Sequence, residues 1–267
     1  MAAIACGLLA LALLAQDPGT VVKADARVQG RTYVFAETGE SIPYAVFVPS
    51  NYDAVRKWPL IVALHGLGRP FDWMMGYQGM IDFAQRDGFL VVSPLGYHPR
   101  GWYGSRGTGL GGNPQPAPPA PELPANLGEL SEKDVMHVLE IAQREFSVDG
   151  DRIYLWGHSM GGAGTYHLAA KHPALWAGLA VAAPAPSEPP DQLEVFKQVP
   201  ILVLQGDEDR TVPVAQTRRW VARMRELGME HLYVEVKGGD HSLFISQNRE
   251  MLSNVFSFFN IVRKKAP

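Results

Sequence analysis

The chain has 267 residues, a formal net charge of −3, 46% hydrophobic residues and a single cysteine. That length holds one or two domains with a sizeable core, and the hydrophobic content is that of an ordinary globular protein. The near balance of charge, with no basic stripe, excludes a nucleic-acid binder; the terminal Arg263-Lys264-Lys265 reads as a solvated helix end favoured by the helix dipole.

Residues 4–15 form an almost unbroken apolar run, followed by Gln16-Asp17-Pro18-Gly19. The run is too short to span a bilayer and has the length of a signal-peptide core. No Lys or Arg precedes it, and Leu13 is larger than the small residue expected three positions before a cut after Ala15. The alternative is an N-terminal helix packed on the domain. We expect residues 1–15 to be a signal peptide, residues 16–267 to form one domain, and the mature protein to be secreted or periplasmic without membrane association. Cys6 opens the run, whereas a lipid-bearing cysteine would close it. The mature chain is therefore expected to have no disulfide, no thiol nucleophile and no cysteine metal site, and to rely on its core.

Residues 31–36 and 45–49 read as strands around the turn-rich Glu37-Thr38-Gly39-Glu40, an opening antiparallel pair. The continuous apolar run Pro59-Leu60-Ile61-Val62-Ala63-Leu64 fits a strand buried on both faces. A helix is predicted over 81–86, ending near Gly88, and a strand over 89–93. Residues 97–130 hold Gly101-Trp102-Tyr103-Gly104 and a proline-rich tract, which forms neither helix nor central strand. Ser131-Glu132-Lys133-Asp134 has the pattern of a helix N-cap, with an apolar face at Val135, Val138, Leu139 and Ala142 up to about Phe146. Strands are predicted at 153–156, 179–183, 201–204 and 233–236, and helices at 214–227 and 247–262. A proline-rich excursion covers 184–190. Strands alternating with helices imply a mainly parallel sheet covered on both faces, in one α/β domain.

Gly157-His158-Ser159-Met160-Gly161 lies between the apolar Ile153-Tyr154-Leu155-Trp156 and a helix-like run. A G-x-S-x-G motif between strand and helix is the setting of a nucleophile elbow, in which the serine stands exposed on a strained turn. A serine hydroxyl needs a base, the base needs an orienting group, and a developing oxyanion needs donors. The base should follow the last strand, and His241 in Gly238-Gly239-Asp240-His241 does so. His158, within the elbow, should point away from the serine hydroxyl. The orienting carboxylate should follow the preceding strand, where Gln205-Gly206-Asp207-Glu208-Asp209 offers three acids. Asp209 is favoured, with Asp207 as the alternative. The chain order serine, acid, histidine is that of this arrangement. Donors are expected from the Met160 N–H and from the Leu67 N–H of Leu64-His65-Gly66-Leu67-Gly68. His65 is read as a structural residue of that loop.

With these parts in place, the chain resembles the α/β-hydrolase superfamily over residues 33–262. Within the superfamily, the stretches from Pro59 to Gly66 and from Asp151 to Gly162 look like the secreted polyhydroxybutyrate-depolymerase and feruloyl-esterase-like group, a look shared by predicted peptidases of the prolyl-oligopeptidase type. The resemblance implies a single α/β-hydrolase domain, a Ser159–Asp209–His241 triad, an oxyanion hole at Leu67 and Met160, and ester hydrolysis through an acyl-enzyme without metal or cofactor. The partner expected is a small ester or an ester-substituted oligomer; the oligomeric state stays open. No propeller precedes this part, so size gating is not expected, and no polymer-binding part follows it, so action on solid polyester is not expected. Trp102 and Tyr103 are the candidate substrate-binding pair, able to stack on a sugar or phenolic group, the alternative being packing under the proline-rich loop. Phe71, Trp73 and Met74 read as an acyl pocket or as the face of the next helix, the helix face being favoured. A serine peptidase shares every part. A non-catalytic carbohydrate- or lipid-binding relative would not need the serine, acid and histidine. A lipase should carry a long amphipathic lid, which the sequence lacks.

Overall fold

The computed structural model describes residues 23–107 and 123–264. The apolar run at 4–15 with Cys6 and most of the proline-rich tract lie outside the described residues. Strands β1 (Gln29–Val34), β2 (Ser41–Phe47), β3 (Trp58–Leu64), β4 (Leu90–Pro94), β5 (Val148–His158), β6 (Gly178–Ala182), β7 (Ile201–Gly206) and β8 (His231–Val236) form one sheet in the order β1-β2-β4-β3-β5-β6-β7-β8. The β1–β2 and β2–β4 pairs are antiparallel and all others parallel. This is the mainly parallel sheet with an antiparallel start that the sequence implies.

Parallel strands joined by helices must bury both faces, which explains the unbroken apolar runs. β3 is buried at every position. Its Leu60, Val62 and Leu64 face one core layer together with Ile153 and Leu155 of β5. Its Ile61 and Ala63 face the other with Tyr154 and Trp156. Helices α2 (Leu127–Glu145), α3 (Met160–Lys171) and α4 (Val214–Glu226) cover the first face through Val138, Tyr166 and Trp220. Helices α1 (Met80–Asp87), α5 (Leu243–Ser246) and α6 (Arg249–Ile261) cover the second through Met80, Phe244 and Phe256. β1 and β8 form the edges and alternate between covered and exposed positions.

Among the boundaries that differ from expectation, two have a side-chain cause. Ser131 is not an N-cap: α2 starts at Leu127, and Ser131 lies buried within it. Its hydroxyl accepts the backbone N–H of Tyr103 at 3.0 Å, so a tertiary contact explains a residue that local pattern assigns to a helix start. The helix predicted over 247–262 is α6 (Arg249–Ile261); its start is set by Asn248, whose side chain caps it by accepting the N–H of Met251, and the short α5 before it was not predicted. Ser131→Ala would leave the buried Tyr103 N–H without its acceptor, and should cost about 1–3 kcal/mol of unfolding free energy. A urea midpoint equal to the parent's would contradict this.

Candidate active site

Loops from the C-terminal ends of β3, β5, β7 and β8 meet at one point, as expected of an open parallel sheet. At the end of β5, Ser159 has φ 56° and ψ −114°, a strained conformation for a residue with a side chain. The surrounding backbone holds it there. Its N–H donates to Ala182 O at 2.9 Å, and its carbonyl accepts from Ala163 and Ala185 at 3.1 Å each. The flanking glycines are required by close approach. A Cβ on Gly157 would lie 2.0 Å from the Gly161 carbonyl oxygen, and one on Gly161 would lie 1.9 Å from that of Leu64. Strand, turn and helix therefore pack backbone to backbone.

Ser159, Asp209 and His241, predicted from three separate loops, form one hydrogen-bonded file. His241 Nδ1–H donates to Asp209 Oδ2 at 2.8 Å, which leaves Nε2 to accept from Ser159 Oγ at 2.9 Å. The Asp209 carboxylate is buried and held at both oxygens. Oδ1 accepts the N–H groups of Thr211 and Val212 at 2.8 Å each, and Oδ2 also accepts from Gln205 Nε2 at 2.9 Å. Burial pushes its pKa up, but His241 and the two backbone donors outweigh this, and the net shift is downward. The carboxylate is thus ionised beside the imidazole. Asp207 turns elsewhere and accepts the N–H of Gly238. The two loops approach closely, since a Cβ on Gly206 would lie 2.2 Å from the Gly239 carbonyl oxygen. Asp240 accepts the N–H groups of Ser242, Leu243 and Phe244, which anchors the histidine loop on α5.

Three residues of this arrangement were not singled out for it from sequence. Gln205 is fixed by donating to Asp209 and by accepting from Thr217 Oγ1 at 2.7 Å. His158 does not simply turn away from the site. It is fully buried, stacks on Trp73 with ring centroids 5.3 Å apart, and reaches the carbonyl oxygen of His241 at 2.8 Å. A carbonyl only accepts, so Nε2 carries the proton and Nδ1 accepts from the Tyr77 hydroxyl at 2.5 Å. Tyr77 and His158 thus brace the backbone of His241 from below. Burial, with added repulsion from His241 and Arg69, lowers the pKa of His158 to about 3. Only its place beside the serine marks it in the sequence, because its partners lie 81 and 83 residues away.

Ser159 and His241 open into a cavity of about 460 Å³ whose wall includes Leu67, Arg69, Trp73, Trp102 and Arg106. Leu67 borders this space, and Met160 is the first residue of α3, whose N–H has no acceptor within the helix. His65 is buried, and its ring nitrogens lie 2.8 and 2.9 Å from the carbonyl oxygens of Gly66 and Leu95, securing the Leu67 loop. The Trp102–Tyr103 pair is split, which corrects the paired reading. Trp102 lies on the cavity wall, whereas Tyr103 is fully buried over Gly164. The consecutive residues have φ 58° and 52°, and this left-handed step sends their side chains to different places. Trp73 borders the cavity while Met74 is sealed in the core. Among the described residues no group of three His, Cys, Asp or Glu could hold a metal ion, and no helix is long and apolar enough to cross a membrane. An ionised acid, an imidazole and a hydroxyl in file at a cavity are equipped for nucleophilic attack on a carbonyl.

The model of the family described as "Putative esterase" matches residues 36–244. The chain is 29% identical to "Putative esterase NocK" of Nocardia uniformis subsp. tsuyamanensis over 71% of its own length and 51% of that protein. It is 25% identical to "Bifunctional acetylxylan esterase/xylanase XynS20E" of Neocallimastix patriciarum over 71% of its own length and 25% of that protein. The chain thus spans about half the length of the first relative and a quarter of the second. A structure titled "Crystal Structure of a Thermostable Esterase" superposes with a TM-score of 0.65 at 26% identity, over 89% of this chain and 64% of that one. The fold is that of the α/β-hydrolases.

His158 makes stability depend on pH. Its folded pKa of about 3 lies below the ordinary histidine value, so its contribution is complete above the unfolded pKa of 6.5 and is lost as pH falls toward 3. The full loss is roughly 5 kcal/mol. The thermal midpoint should therefore fall between neutral pH and about pH 4, and His158→Gln should show a smaller fall. Equal falls in the two proteins would remove His158 from this account.

Proposed function

The chain belongs to the "Putative esterase" family, and from that membership we propose that it is a serine hydrolase cleaving carboxylic esters through an acyl-enzyme. The observation that carries the reading is the file Asp209–His241–Ser159, with hydrogen bonds of 2.8 and 2.9 Å at the cavity. His241 takes the proton from Ser159 Oγ as the oxygen attacks the ester carbonyl. Asp209 holds the imidazole with its proton on Nδ1 and stabilises the imidazolium that forms. The Leu67 and Met160 N–H groups stabilise the tetrahedral oxyanion, each worth roughly 10²–10³ in turnover. His241 returns its proton to the leaving alcohol, then activates a water that hydrolyses the acyl-enzyme. Tyr77 and His158 position His241 and transfer no proton in this scheme.

The substrate on this reading is a small ester or an ester-substituted oligomer. The names of both relatives, which include esterase and acetylxylan esterase, support an ester over an amide. The apolar run at 4–15 supports export, so we place the activity outside the cytoplasm.

Turnover of 4-nitrophenyl acetate should fall by about 10⁴ in Asp209→Asn, and by at least as much in Ser159→Ala. Asp207→Asn should stay close to the parent, since its carboxylate faces Gly238 rather than His241. A fluorophosphonate should label Ser159 in the parent protein. An unlabelled serine, or an active Ser159→Ala protein, would refute the reading.

A further inference from the structure

The cavity wall is positively charged although the chain as a whole is negative. Arg69 and Arg106 both border the cavity that Ser159 and His241 open into, and no Asp or Glu belongs to its wall among the described residues. Asp209, behind His241, is held by His241 and three other donors.

Arg106 is fixed in place. Its guanidinium carbon lies over the Trp102 ring, 3.5 Å from the ring centre. Trp102 is itself held in a left-handed conformation at φ 58°, and its carbonyl accepts from the Ser105 hydroxyl at 2.8 Å. The Ser187 hydroxyl in turn donates to Ser105 O at 3.0 Å. Among the described residues the Arg106 Nε atom is buried and has no hydrogen-bond partner, and no carboxylate acts on the guanidinium. Burial pulls its pKa down with no opposing carboxylate. Nε itself is closed off from the cavity, so an anion there would meet the Nη groups; a half-buried guanidinium with no carboxylate partner among the described residues favours such an anion. Arg69 adds charge to the same space, its guanidinium carbon lying 5.1 Å from the Trp73 ring centre.

We propose that the substrate of this cavity is an ester that also bears a carboxylate, received by the planar fork of Arg106 on its Trp102 platform, with Arg69 adding to the attraction. Guanidinium suits this role because its parallel N–H groups match the two oxygens of a carboxylate, and stacking on an aromatic ring costs it little hydration. This rests on the ester-hydrolase reading for its chemistry, but not for its binding.

The test has two arms. In the first, kcat/KM is measured for mono-4-nitrophenyl glutarate and for neutral 4-nitrophenyl butyrate at low ionic strength. The glutarate should be preferred at least tenfold. That preference should be lost in Arg106→Gln, be partly kept in Arg106→Lys, and shrink with added salt. In the second arm, binding of monomethyl glutarate and dimethyl glutarate to Ser159→Ala protein is measured by calorimetry. The monoanion should bind at least tenfold more tightly, and Arg106→Gln should abolish the difference. Equal binding of the two ligands, or a preference that survives Arg106→Gln, overturns the anion site. Failure to hydrolyse either ester, with the binding preference intact, overturns the hydrolase reading and leaves the anion site standing.

Discussion

The structure depends on a backbone crossing with no space for a side chain. Gly161, at the start of α3, sits against the Leu64 carbonyl at the end of β3, and Gly157, at the end of β5, sits against Gly161. This contact aligns the central strands with the helix that covers them and forces Ser159 into its strained turn. Such a conformation costs about 1–3 kcal/mol and persists only where its surroundings over-determine it. Here the hydrogen bonds from Ser159 N–H to Ala182, and from Ala163 and Ala185 to the Ser159 carbonyl, supply that constraint.

A similar crossing places the base and the acid. Gly206 closes against Gly239, so the loops after β7 and β8 stay together, and Asp209 and His241 meet across 32 residues of sequence. Around them lies a layer of neutral polar groups. Gln205 orients Asp209, and Tyr77 with His158 supports the His241 backbone. His158 can serve because burial keeps it uncharged; an imidazolium there would lie directly beneath the base. The cavity side differs: Arg106 lies over the Trp102 ring on the cavity wall. The acid is thus satisfied from within the protein, while Arg106 has no carboxylate partner among the described residues.

Much of the fold was legible from apolar runs. Strands buried on both faces, such as β3 and the 153–156 part of β5, leave an unbroken hydrophobic signature, and alternation with helices implies parallel pairing. The errors fell where a side chain answers to a distant partner. Ser131 has the pattern of a helix cap, yet it accepts the Tyr103 N–H from another segment. Gln247-Asn248 reads as helix, yet Asn248 spends its side chain on capping α6.

For the site, the sequence alone determined the elbow, the order of serine, acid and histidine, and the preference for Asp209. Each is encoded locally, by glycines at a tight turn or by an acid just past a strand. Tertiary structure alone decided which neighbours act on them. Tyr77 and His158 are 81 residues apart, and nothing local links them to the carbonyl of His241. Trp102 and Tyr103 are adjacent and chemically alike, but a left-handed step places one on the cavity and buries the other. The charge of the cavity also emerges only on folding, because Arg69 and Arg106 come from separate loops and acquire a common field when the sheet brings those loops together.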